Sequence, residues 1–193
     1  MKPSFFRALF ILLTALTVLI LFSGCTLPET GQVISTSNQV SYQSTQSSNA
    51  VNNGVKWQKF TTFQLSAGSP EYVDGKPVIR LYSTTWCSHC QWIKKTFDET
   101  VKPYVMEGKI IAYHWQLDSG DNSLTSEVES KVPDAEVDIF YRFSPRGSVP
   151  AFVFGNKYYR IGNGYEVQND LQAEKKEFKQ VIEELIKNAS EYS

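Results

Sequence analysis

Cys87 and Cys90, with Ser88 and His89 between them, are the residues of this chain best suited to chemistry. A thiolate attacks sulfur, and two thiols at this spacing can close on each other. The pair follows a β-rich apolar run, Val78-Ile79-Arg80-Leu81-Tyr82, and precedes a helical pattern. Cys87 therefore falls at a strand-to-helix junction. A helix N-terminus presents unpaired N–H groups and roughly half a positive charge, which favours an anion there. Cys87 is the expected nucleophile. Cys90, about one helical turn on, should point inward, placed to attack a mixed disulfide on Cys87 and release its partner.

Other uses of cysteine fit less well. A structural zinc site takes four Cys or His ligands. Cys87, Cys90, His89 and His114 are available, but His89 lies inside the pair and His114 falls on an expected strand. A c-type haem needs histidine where Gln91 stands. A permanently closed structural Cys87–Cys90 disulfide is the remaining alternative. His89 reads either as an exposed polar residue or, from its placement between the cysteines, as a group that tunes the pair electrostatically. His114, within Tyr113-His114-Trp115, reads as a sheet residue rather than a catalyst, and Asn188-Ala189-Ser190 is assigned no role.

The elements that must position these residues follow from periodicity. Trp57 to Leu65 fits a first strand or a short helix, and Gly75-Lys76-Pro77 punctuates the chain. Val78–Tyr82 has the length of a buried central strand. Cys90, Ile93, Phe97 and Val101 share one helical face, with Pro103 ending or kinking that helix. Lys109–Leu117 reads as a strand, and Asp118–Asp134 as a long polar loop with a helical turn near Glu127. Ala135–Phe143 reads as a short helix stopped by Ser144-Pro145. Pro150–Phe154 and Lys157–Ile161 form a hairpin at Gly155-Asn156. An amphipathic C-terminal helix carries Leu171, Phe178, Val181, Ile182, Leu185 and Ile186. A strand–helix–strand unit implies parallel pairing and the hairpin adds antiparallel strands, giving an α/β fold with a mixed sheet between helices.

Trp86-Cys87-Ser88-His89-Cys90 after the Val78–Tyr82 strand, with Ser148-Val149-Pro150 before the hairpin, resembles the thioredoxin superfamily over roughly residues 55–190. The resemblance implies a thioredoxin-like fold and thiol–disulfide exchange by Cys87 and Cys90. It also implies a cis bond at Pro150 beside the pair, with Val149 offering backbone groups to an extended substrate, and Trp86 at the rim of the site. Many relatives carry a buried acid six residues before the first cysteine; here that position is Leu81, as in glutaredoxins. Cys87-Ser88-His89-Cys90 is also similar to the Cys-x-His-Cys pattern of disulfide oxidants and isomerases, whereas tethered thioredoxin-like lipoproteins serve as reductants.

Composition excludes other classes. The 193 residues are 41% hydrophobic and 13% aromatic, enough for one packed domain, and 19 basic against 20 acidic residues leave a net charge of -1. A nucleic-acid-binding domain would be strongly basic. Lys2 and Arg7 precede an apolar stretch, Ala8–Phe22, which has the pattern of a signal peptide. Ser23-Gly24-Cys25 resembles the end of a bacterial-type lipobox, with Phe22 where a leucine-like residue is usual. That resemblance implies lipidation of Cys25; an uncleaved signal anchor is the other reading. Residues 25–54 are rich in Ser, Thr, Gln and Asn and read as a flexible tether.

The expected organisation is a lipoprotein-type signal peptide (1–24), a tether (25–54) and a thioredoxin-like domain (55–193). The expected function is disulfide exchange with protein thiols and disulfides outside the cytoplasmic membrane. The chain is held at that membrane by its N-terminus and recycled by a redox partner. No metal or organic cofactor is called for. The alternative is a non-enzymatic thioredoxin-fold lipoprotein that binds a partner or carries a metal.

Overall fold

A computed structural model of the chain describes residues 54–192. The expected signal peptide (1–24), Cys25 and residues 25–53 of the expected tether lie outside the described residues. Among the described residues, no helix is long and apolar enough to cross a membrane.

The described elements are β1 (Gln64–Leu65), β2 (Tyr72–Val73), β3 (Lys76–Ser83), α1 (Ser88–Met106), β4 (Ile111–Gln116), β5 (Asp121–Asn122), α2 (Asp134–Phe143), β6 (Ala151–Phe154), β7 (Tyr158–Ile161) and α3 (Leu171–Asn188), followed by a 3-10 turn (Ala189–Tyr192). The sheet order is β1-β7-β6-β3-β4-β5, with β2 paired to β3. β3 and β4 run parallel, Leu81 opposite His114, while β6 lies antiparallel on the other side of β3. This mixed sheet flanked by three helices is consistent with a thioredoxin-like fold.

β3 is buried on both faces, and its alternation sorts two cores. Ile79 and Leu81, with Phe152 and Phe154 of β6, face a cluster containing Ile93, Phe97 and Val101 of α1 and Phe178, Val181, Ile182 and Leu185 of α3. Tyr82, Ala151 and Val153 face Ile139, Phe140 and Phe143 of α2. Arg80 points the same way as Tyr82 and, though buried, is paired: Glu136 accepts its Nε–H at 2.7 Å and Glu71 accepts from Nη2 at 2.9 Å. The Tyr82 hydroxyl also donates to Glu136 at 2.9 Å.

Several boundaries differ from the sequence reading. β3 starts at Lys76 rather than Val78, because Asp74 and Gly75 (φ 50° and 72°) turn it back onto β2. Asp-Gly is a strong hairpin signal. Of the two expectations for Pro103, an end or a kink, the end is not met: α1 runs through Pro103 to Met106. Only Gln64–Leu65 of the 57–65 stretch is a strand, pairing with β7. The 118–134 loop contains the two-residue β5 and no helical element around Glu127. The expected β6–β7 hairpin turns at Gly155 (φ 57°) and Asn156 (φ 50°), the left-handed pair that a two-residue turn requires. A β-carbon on Gly155 would also lie 2.8 Å from Leu185.

Candidate redox site at the start of α1

Cys87 is the N-cap of α1, with extended backbone (φ -77°, ψ 116°). Its Sγ accepts the Cys90 N–H at 3.2 Å, while its carbonyl accepts the Gln91 N–H at 3.0 Å. The sulfur therefore occupies the place where an N-cap oxygen usually satisfies an orphan helix donor, an arrangement that suits negative charge. Both cysteines are free thiols. Cys87 is 7% exposed and Cys90 2% exposed, on the stripe of α1 that faces the sheet. Burial pushes the Cys90 thiol up to about 12, helped by its hydrogen bond with Cys87 and opposed by the Thr84 N–H. Such a thiol stays protonated at neutral pH. The two sulfurs thus sit in unequal environments.

The loop before the pair is held from two directions. Asp118, at the end of the β4 segment, accepts the Thr85 N–H at 3.0 Å and also the Thr85 hydroxyl. Burial disfavours its charge, but the Thr85 bonds outweigh this and hold the Asp118 carboxyl below the usual range. The Gln91 side-chain amide donates to the Thr85 carbonyl at 2.8 Å. These anchors leave Trp86 74% exposed beside Cys87.

Facing the pair is the turn before β6. The Val149–Pro150 bond is cis, and the Cys87 thiol approaches the Val149 carbonyl at 4.0 Å. The Ser144 hydroxyl donates to the Ser148 carbonyl at 2.9 Å, and Gly162 N–H to the Pro150 carbonyl at 2.8 Å. The turn is tied at both ends.

His89 stands outward, its side chain 66% exposed, with Nδ1 2.8 Å from a carboxylate oxygen of Glu166. Asn163 donates to the His89 carbonyl at 2.9 Å and to Glu166 at 2.8 Å. His114 is the reverse case. It is fully buried, with Asp98 at 2.6 Å from Nδ1 and the Ser83 hydroxyl at 2.9 Å from Nε2.

Trp86, Cys87, His89, Cys90, Val149 and Pro150, singled out from sequence, therefore gather at one end of the sheet. No family model matches the chain, and no curated protein does. The geometry alone argues the chemistry. Asp118, Asn163 and Glu166 were missed, because isolated polar residues in loops read as solvated surface, and Glu166 is 77 positions from its partner. Among the described residues, no group of three His, Cys, Asp or Glu side chains could hold a metal ion.

Proposed function

We propose that this chain is a thiol–disulfide oxidoreductase whose redox couple is Cys87–Cys90. The observation that carries the reading is the unequal pair: Cys87 at the helix cap, its sulfur accepting the Cys90 N–H, with Cys90 buried behind it. The Cys87 thiolate attacks one sulfur of a substrate disulfide, forming a Cys87–substrate bond as the substrate S–S bond breaks and one thiolate leaves. Cys90 then loses its proton and attacks the Cys87 sulfur. The mixed disulfide breaks, the second substrate thiolate leaves, and a Cys87–Cys90 disulfide remains. Two electrons have passed to the substrate. Run in reverse, the same steps oxidise a dithiol, and the potential of the pair selects the direction.

The environment of Cys90 argues for two-stage timing. A thiol pushed up to about 12 does not compete with Cys87 for substrate, yet acts at short range once Cys87 is capped. Val149, whose carbonyl lies 4.0 Å from the Cys87 sulfur, supports the reading of Val149-Pro150 as the platform for an extended substrate. Trp86 covers one side of the rim, and His89 tunes the pair. The substrates are protein thiols and disulfides, and a separate dithiol protein recycles the couple. The N-terminal segment holds the domain at the outer side of the cytoplasmic membrane, through lipidated Cys25 or an uncleaved anchor. Mass spectrometry of the membrane-extracted chain separates those two.

Insulin reduction by dithiothreitol, followed as turbidity, tests the activity. Wild type accelerates it, and Cys87→Ser does not. Equal rates for the two proteins would favour a partner-binding role for the fold instead.

A further inference from the structure

Nothing in the sequence pattern pairs His89 with another residue, yet the β7–α3 loop (162–170) fastens to the first turns of α1 at three points. Asn163 donates to the His89 carbonyl at 2.9 Å, Glu166 takes His89 Nδ1 at 2.8 Å, and Trp92 Nε1 donates to Asn169 Oδ1 at 2.9 Å. Asn169 sits in the left-handed region (φ 51°) to make that last contact.

The loop is rigid from below as well. Buried Glu174 accepts the N–H groups of Gly164 at 2.6 Å and Tyr165 at 2.8 Å, and Arg160 donates to it at 2.7 Å. A β-carbon on Gly164 would lie 2.5 Å from the Arg160 side chain and 2.7 Å from that of Thr62, so a larger residue here would have to displace them. Glu166 therefore reaches His89 from a fixed support. Partial burial works against its charge, but Asn163 and His89 hold the Glu166 carboxyl below the usual glutamate range. It is an anion at neutral pH.

A lone imidazolium inside a cysteine pair stabilises the neighbouring thiolate, favours the dithiol and makes the disulfide more oxidising. An imidazolium paired with a carboxylate presents a dipole instead of a net charge, and its field at the sulfur largely cancels. We propose that Glu166 is a counter-ion that masks His89 from the Cys87–Cys90 couple, so that the 162–170 loop sets the couple less oxidising than its Cys-Ser-His-Cys motif alone would make it. This rests on the redox reading of the pair above. Glu166 is the carboxylate in contact with His89, and the other charged group that acts on the couple is Asp118, which raises the Cys90 thiol from the far side of the Thr85 turn.

The test is the equilibrium of the full chain with glutathione at pH 6, where an ordinary histidine is largely charged. In that reaction the protein disulfide and two glutathione thiols give the protein dithiol and one glutathione disulfide. Glu166→Gln keeps the shape and loses the charge, and Glu166→Ala loses both. Each should move the equilibrium toward the dithiol by about two- to five-fold, the range of a partly exposed ion pair. The shift should fall below about 1.5-fold in a His89→Ala background and shrink in 1 M salt, where the screening length is about 3 Å. A Glu166→Gln protein that matches wild type, a shift toward the disulfide, or a shift that persists without His89 would overturn the proposal while leaving the redox reading intact. A wild type with no reversible disulfide would overturn the redox reading itself, and this inference with it.

Discussion

Two histidine–carboxylate pairs sit along α1, and they differ in almost everything except their chemistry. At the first turn, His89 meets Glu166 in the open. Two turns further, Asp98 meets His114, which is wholly enclosed, its other ring nitrogen held by Ser83 and its ring set edge-on to Phe97. An exposed pair is worth little to stability because water screens it, but losing one of its two charges leaves the other uncompensated beside the sulfurs. An enclosed pair is far from exchange, and removing one partner strands the other. The proposed function thus lies where the helix begins, and the buried support of the fold where it packs on β4.

The sharpest way to break that division is Cys87→Ser. Insulin reduction should fall to the rate of dithiothreitol alone, whereas the chemical-denaturation midpoint should hardly move, since a hydroxyl also caps a helix. Cys90→Ser should instead accumulate a mixed disulfide with substrate, visible by mass. His114→Ala probes the other region. Loss of a packed ring and of partners for Ser83 and Asp98 should cost about 2–4 kcal/mol in urea unfolding, with the glutathione equilibrium of the folded protein unchanged. An altered equilibrium would mean that the buried pair also serves the couple.

A smaller effect concerns Cys90. Its folded thiol is pushed up to about 12 by burial, whereas an unfolded thiol ionises near about 8.5. The unfolded chain therefore loses its proton first as pH rises. The stability that Cys90 contributes is complete below about pH 8.5 and is lost progressively up to about pH 12. Reduced wild type should lose more stability across that window than Cys90→Ser. The smallest expected effect is the stability of His89→Ala, within about 0.5 kcal/mol of wild type, because the side chain is exposed.

Much of this was legible in the residues. The apolar stripe of Cys90, Ile93, Phe97 and Val101 announces which face of α1 is buried, and the β-rich Val78–Tyr82 run, despite Arg80 at its centre, announces a buried central strand. Gly155-Asn156 marked its hairpin. The Asp74-Gly75 turn carried the same kind of signal, but β2 is only two residues long and shows no alternation. Pro103, which reads as ending or kinking the helix, stands near the end of α1, which continues only to Met106. The supports of the site were illegible for a different reason. Asp118 and Glu166 reach Thr85 and His89 across 33 and 77 positions, and no local period records such a partner.

The central claim is that Cys87 and Cys90 form a reversible couple. The most direct measurement is titration of the full chain through a graded series of glutathione and dithiothreitol redox buffers, with acid quenching, alkylation and mass analysis. One two-electron transition confined to Cys87 and Cys90 is expected, with a potential between about -120 and -270 mV, the span of known exchange proteins. A pair that stays reduced, or stays closed, through the whole series would contradict it.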